Sequence, residues 1–350
     1  MKVLILKPSS LGDVVQALPV LRLLKQHRPE AEVHWWLAAE LAPLLEDDAD
    51  IARLIPFERK QWRKPAYWPR GLAQVQAMRA ARYDWVIDLQ GLARSAAFAW
   101  LADGAFTVGL ELEREGAHLA YDLAVPRPKD RPHAVDWYLA VARALGIPVH
   151  DDFDWLPARP SVAAQVELKW ARDGFRWLGI NPGARWDNKR WPAGHFAELV
   201  RLLAARDGRL RFALLGGSGD WQLTEAIRAA APDRCENFAG RTALPELIEV
   251  LRRCELLVTN DTGPMHLAAA LRKPVVSLFG PTRPDQTGPH GQTHLALTHP
   301  LPCAPCMKGR CHWAEPLACL AGIPAMRVAD EVWRRLACAP RQTPSTTPVA

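Results

Sequence analysis

Leu256-Leu257-Val258-Thr259-Asn260-Asp261-Thr262-Gly263-Pro264-Met265-His266-Leu267-Ala268-Ala269-Ala270-Leu271 decides the fold. Leu256 to Thr259 is a short, partly β-branched apolar run of the kind that forms a buried parallel strand. Asn260 to Pro264 cannot continue it, because Gly permits a tight turn and Pro is favoured at the first position of a helix. Met265 to Leu271 is rich in helix formers. A strand, a tight polar turn and a helix aim unpaired backbone N–H groups and a positive helix end at one point. Such a point binds phosphate. The plain alternative is a βα turn capped by Asp261 or Thr262. Asp, Thr, Gly and His in one turn exceed what a cap needs.

The same unit recurs at the N-terminus. Lys2–Leu6 is strand-like, Lys7-Pro8-Ser9-Ser10-Leu11-Gly12-Asp13 is a polar turn, and Val14 to Gln26 is helical through Val14, Val15, Leu18, Leu21 and Leu24. Turns at the carboxyl edge of an open α/β sheet are where such sheets bind ligands. Asp13 stands at the helix start, where it either favours the dipole or serves a ligand. Further strands are expected at Val33–Leu37, near Leu54–Ile55, at Tyr83–Leu89 and at Val108–Leu110, with helices around Leu41–Leu45 and His133–Leu145. Asp88 and Gln90 fall at the same carboxyl edge.

His150 to Pro160, acidic and then Pro-rich, reads as an interdomain linker. Beyond it Trp177–Ile180 restarts a strand that ends in Asn181-Pro182-Gly183-Ala184, followed by the polar loop Arg185 to Pro192 and a helix from Gly194 to Arg206. Phe212–Leu215 leads into Gly216-Gly217-Ser218-Gly219-Asp220, which fits neither the P-loop nor the strict dinucleotide pattern. A helix over Pro245–Arg253, the opening stretch and a strand at Val275–Phe279 complete a second half. The expected fold is α/β: two doubly wound Rossmann-like domains, 1–157 and 158–338, facing a cleft, with a Pro/Thr-rich disordered tail at 339–350.

The 350 residues suit two domains, and a hydrophobic share of 49% gives each a core. A net charge of +6 favours acidic partners such as phosphates or an anionic membrane surface, with nothing that reads as nucleic-acid binding. No apolar run reaches the length of a membrane span, and Met1-Lys2-Val3-Leu4 enters a strand-like segment rather than a signal peptide, so a cytosolic protein is expected. Arg59 to Arg94 holds eight basic residues against Asp84 and Asp88, concentrated in Arg59-Lys60-Gln61-Trp62-Arg63-Lys64. That cluster is either a solvated face or a cradle for an anionic acceptor, and the Trp among the cations favours the cradle.

The motifs SSLGDVVQALPVL, NPGARWDNKRWP and NDTGPMHLAAAL with SLFGPT, in this order, resemble those of the bacterial lipopolysaccharide heptosyltransferases of glycosyltransferase family 9. The resemblance runs from Lys2 to Trp333, and the Lys60-to-Lys64 segment looks most like heptosyltransferase I. It implies a GT-B scaffold and an inverting, metal-independent transfer from ADP-L-glycero-D-manno-heptose to the Kdo of an anionic inner-core acceptor, Kdo2-lipid A, by an enzyme peripheral to the inner membrane. It makes Asp13 the base and Lys189 the cation that neutralises the departing pyrophosphate. Asn181, Gly183, Lys189, Asp261, Thr262, Gly263 and His266 would hold the donor, with Asp261 on heptose hydroxyls because phosphate repels it. Ser9, Ser10, Gly12, Lys60, Arg63, Lys64 and Gln90 would face the acceptor. A core heptose or a protein side chain is the alternative acceptor, and a two-domain sugar-nucleotide epimerase is the rival outside the family.

Cys303, Cys306, Cys311 and Cys319 form C-x2-C-x4-C-x7-C. They are free cytosolic thiols by default. Alternatively they close a tetrahedral structural Zn or Fe site, for which the first pair has the right spacing.

Overall fold

The computed structural model describes residues 1–58, 61, 64–112, 115–170 and 174–338. Lys60 and Arg63, with Arg59 and Trp62, and the tail 339–350 lie outside them. Two six-stranded sheets form, all of their paired strands parallel. The first holds β1 (Lys2–Leu6), β2 (Glu32–Ala38), β3 (Arg53–Phe57), β4 (Trp85–Asp88), β5 (Phe106–Leu110) and β6 (Leu123–Val125) in the order β3-β2-β1-β4-β5-β6. The second holds β7 (Arg176–Asn181), β8 (Leu210–Leu214), β9 (Cys235–Asn237), β10 (Leu256–Asn260), β11 (Val275–Phe279) and β12 (Leu297–Thr298) in the order β12-β11-β10-β7-β8-β9.

Read from its first strand, each sheet has the doubly wound order 3-2-1-4-5-6. The order reverses between β1 and β4, and again between β7 and β10. Strands this deep need apolar residues on both faces. β10 and β11 are buried at every position, and β1 at all but Lys2. The switch points therefore fall beside the turns after Leu6, Asp88, Asn181 and Asn260, where the polar motifs lie.

The helix Leu11–His27 is buried along most of its length, because it packs on the first sheet, on the helix Ala134–Ala144 and on the helix Gly263–Ala270 of the other half. One apolar cluster accordingly runs through both halves, from Val3, Leu18 and Val141 to Met265, Leu257 and Phe279. His150–Pro160 is clamped rather than free. Arg22 donates to the Trp155 carbonyl and Arg159 to the carbonyls of Pro43, Leu44 and Glu46, while Arg252 reaches Leu156 and Pro157 and Arg272 reaches Asp151 from the second half. The helix Pro160–Lys169 packs on Leu244–Arg253, and on that packing we propose the division into residues 1–157 and 158–338.

Several elements were not expected from the sequence. They are the helices Trp68–Ala80, Pro160–Lys169, Trp221–Arg228 and Ala325–Cys338, and the short strands β6, β9 and β12. Among the described residues, no helix is long and apolar enough to cross a membrane.

Candidate active site

Ser10 caps the helix Leu11–His27, and Asp13 is its third residue. The Ser10 backbone N–H and hydroxyl both donate to Asp13 Oδ2, at 2.9 and 2.6 Å. Asp13 therefore does part of the work of a helix cap. Burial pushes its carboxyl up, but the Lys7 ammonium, the two Ser10 donors and the His266 side chain outweigh it. The group sits below the ordinary carboxylate range and stays ionised.

Lys7 is the cation that the sequence reading passed over. It directly follows β1, is buried, donates to the Leu89 carbonyl at 2.8 Å and lies 4.8 Å from the Tyr138 ring centroid. Asp88, at the end of the adjacent β4, is occupied. Its Oδ1 accepts from the N–H groups of Gln90 and Gly91, and its Oδ2 from the Tyr121 hydroxyl at 2.8 Å. Burial raises its carboxyl above the ordinary range against those donors. With no exposure and donors on both oxygens, it holds the Gln90 turn together. The side-chain oxygen Oε1 of Gln90 itself is buried with no partner among the described residues.

Across the cleft, Lys189 Nζ donates to Asp261 Oδ2 at 2.5 Å, and the Thr282 hydroxyl donates to the same oxygen at 2.6 Å. The ammonium also lies 4.7 Å from the Trp186 ring. The loop before the helix Ala193–Arg206, the turn after β10 and the turn after β11 thus meet at one carboxylate. Thr282 was visible in SLFGPT but not singled out. Asn260, the last residue of β10, binds the Pro182 carbonyl at 2.7 Å and accepts from the Trp191 N–H at 3.0 Å. The Asn181 side chain bonds within its own turn and to Thr259 among the described residues, which gives it a place in shaping the site. At Gly183 any side chain would collide with Asp220, whose carboxylate oxygens lie 2.5 and 2.7 Å from the position of a Cβ.

The two halves touch at their glycines. A Cβ on Gly12 would sit 2.3 Å from His266 Cδ2, and one on Gly263 would sit 2.7 Å from Leu11 Cδ2. His266 is buried, which pushes its imidazole down against the pull of Asp261 and Asp13. The turn with Asp13 and the turn with Asp261 therefore face each other at van der Waals distance. Of the expected acceptor residues, Ser9, Ser10 and Gly12 stand at this junction and Gln90 on the neighbouring switch-point turn. Lys64 is exposed.

Cys303, Cys306, Cys311 and Cys319 form no disulfide among the described residues and line one cavity of about 220 Å³ with Asn188, Lys308 and His312. No three of the sulfurs lie within 4.8 Å of one another among the described residues. A tetrahedral Zn–thiolate site needs about 3.8 Å between sulfurs, given Zn–S bonds of about 2.3 Å. The loop braces the site from outside, since Asn188 donates to the Lys308 carbonyl and the Met307 N–H to that of Pro281. The one metal-capable group within 4.8 Å among the described residues is His133, Asp136 and His290. His133 has no nitrogen to spare for a metal. Its Nδ1 accepts from the Val135 N–H, and its Nε2 donates to the Gly288 carbonyl at 3.0 Å, a bond between the halves.

Residues 72–315 match glycosyltransferase family 9 (heptosyltransferase). The chain is 32% identical to lipopolysaccharide heptosyltransferase 1 of Pseudomonas aeruginosa, over 89% of this chain and 87% of that protein. It is 30% identical to lipopolysaccharide heptosyltransferase 2 of Escherichia coli, over 83% and 85% of the two chains. The structure of E. coli heptosyltransferase WaaC with ADP superposes with a TM-score of 0.76 at 28% identity, covering 96% of this chain and all of that one.

Proposed function

The chain belongs to glycosyltransferase family 9, the heptosyltransferases, and on that premise we propose that it transfers L-glycero-D-manno-heptose from ADP-heptose to the Kdo of an inner-core lipopolysaccharide acceptor, Kdo2-lipid A, at the inner leaflet of the cytoplasmic membrane. The observation that carries this reading is the facing pair of turns. An ionised carboxylate, Asp13, stands on one, and a cation with a helix N-terminus, Lys189 with Gly263–Ala270, on the other.

Asp13 takes the proton of the acceptor hydroxyl as its oxygen attacks the anomeric carbon from the face opposite ADP. The bond from that carbon to the β-phosphate oxygen breaks, and the product has inverted configuration. Negative charge grows on the pyrophosphate. Lys189 and the N–H groups at the start of the helix Gly263–Ala270 take it up in this reading. Asp261 holds Lys189 in position before ADP arrives and, at 7% exposure, is a partner for the lysine first and for heptose hydroxyls second. His266 lies between the two turns, and the Gln90 side-chain oxygen is free to accept from the acceptor. Lys60, Arg63 and Lys64 complete the reading on the acceptor side.

The transfer asks for no cofactor. The finer reading that Cys303, Cys306, Cys311 and Cys319 hold a structural Zn or Fe is supported by their shared cavity, and requires the sulfurs to converge. Metal analysis of protein kept from chelators decides it, with about one equivalent per chain supporting the site.

Lys189→Ala tests the donor side. Binding of ADP by calorimetry should weaken by roughly tenfold or more, as loss of a charge-assisted contact implies, with little change in the thermal midpoint without ligand. Normal ADP affinity with a large fall in that midpoint would make Lys189 a structural residue.

A further inference from the structure

Among the described residues, one layer of the first half leaves large apolar side chains exposed. The helices Trp68–Ala80 and Ala93–Ala102 and the turn Ala117–Ala120 pack on one face of the first sheet, through Met78, Ala99 and Ala102 against Leu4, Leu6 and Val86. On this layer Trp68 is 64% exposed, Leu72 60%, Trp100 68% and Leu119 83%. Trp68, Leu72 and Arg79 are spaced at i, i+4 and i+11, which places them on one helical stripe. Arg79 pairs with Asp103 at the end of the neighbouring helix, so the stripe is turned toward that helix. The turn Ala117–Ala120, which bears Leu119, packs on the same helix as Trp100.

The acidic groups of this layer, Asp103 and Glu115, stand at the ends of the helix Ala93–Ala102, one paired with Arg79 and the other accepting from the Ala93 N–H. The two helices contain Arg70, Arg79 and Arg94 and no acidic residue. Arg70 and Arg94 are exposed and have no ion partner among the described residues. Large apolar side chains left open on a surface mark an interaction site. Trp with Leu among arginines suits the headgroup zone of an anionic bilayer, where the ring enters the interface and the guanidinium meets lipid phosphate. A soluble protein partner of the same polarity would need acidic groups to meet these arginines, which an anionic leaflet supplies everywhere.

We propose that this layer is the membrane-docking face, seated on an anionic bilayer with Trp68, Leu72, Trp100 and Leu119 in the headgroup region and Arg70 and Arg94 on lipid phosphates. It rests on the peripheral location proposed above and is independent of the transfer chemistry. Lys64 and the turn Pro65–Tyr67 lead directly into Trp68. Docking therefore holds Lys64 at the surface where a lipid-anchored acceptor lies.

The test is flotation of the full chain with vesicles of phosphatidylcholine alone or mixed with phosphatidylglycerol, which reads binding without turnover. The wild type should float with the anionic vesicles and far less with the neutral ones. A variant combining Trp68→Ser, Leu72→Ser, Trp100→Ser and Leu119→Ser should bind them roughly tenfold or more weakly. Its thermal midpoint and its activity on a delipidated, water-soluble acceptor should stay unchanged. Arg70→Gln with Arg94→Gln should erase the preference for phosphatidylglycerol. Wild-type protein that floats with neither vesicle overturns the proposal, as does a four-serine variant that floats like wild type. A wild-type dimer that the serine variant dissolves, with vesicle binding unchanged, would assign the face to a second copy of the chain and overturn it equally.

Discussion

The ring of His266 occupies the space that a side chain at Gly12 would need, with Cδ2 and Nε2 at 2.3 and 2.9 Å from the position of a Cβ. His266 stands in the helix that follows Asp261, and Gly12 in the first turn of the helix that carries Asp13. The two motifs that the sequence offers separately are one site because Gly12 lacks a side chain.

Gly12→Ala is therefore expected to hold the two turns apart. His266 is buried and cannot swing aside without a cost in packing. Alanine is otherwise favourable in a helix and offsets part of that cost, so the thermal midpoint should fall only modestly. Steady-state kinetics should show kcat reduced by about tenfold or more, since a misplacement of about 1 Å is enough for that, with ADP affinity within a few-fold. A kcat near wild type would mean that the contact has no part in turnover.

Asp13→Asn should abolish most turnover and leave donor binding within a few-fold, because the loss is confined to the transition state. Asp88→Asn separates the two carboxylates. Asp88 accepts from Gln90, Gly91 and Tyr121, so its replacement should lower stability by about 1–3 kcal/mol, the cost of disturbing a buried polar network. If Asp88→Asn instead removed turnover without loss of stability, and Asp13→Asn did not, the base would be Asp88.

Acid should loosen the joint between the halves. Burial pushes the His133 imidazole down to about 4, against an unfolded value near 6.5. The unfolded chain then binds the extra proton between those values. The stability His133 contributes is complete above about pH 6.5 and is lost as pH falls through about 4. His34, His266 and His290 are also lowered, chiefly by burial, and act in the same direction. His133→Asn keeps a helix-capping side chain but removes the titration and the bond to Gly288. Urea midpoints measured from pH 7 to 4 should fall less steeply for this variant than for the wild type. Equal slopes would remove His133 from the account.

The switch-point turns were legible in the sequence because each joins a dense apolar strand to a polar, Gly-bearing turn, as Leu256–Gly263 and Lys2–Asp13 do. Asp13, Lys189, Asp261 and His266 were singled out that way and by their motifs. What escaped were contacts made by residues with no local signal. Lys7 looks like any strand-end lysine until β4 brings the Leu89 carbonyl to it, and Thr282 needs the turn after β11 to reach Asp261. Asp88 showed only its place at the sheet edge, because its Tyr121 partner lies 33 positions away. The helix Trp68–Ala80 was hidden because its exposed stripe is apolar, which blurs the helical period that burial normally imposes.

The most direct measurement is incubation of the full chain with ADP-heptose and a panel of defined acceptors ending in Kdo or in core heptose, read by mass spectrometry. The account predicts one added heptosyl residue on the Kdo-terminated acceptor, one ADP released per transfer, and inverted anomeric configuration. Conversion of the donor without any acceptor, or no transfer to any inner-core acceptor, would contradict it.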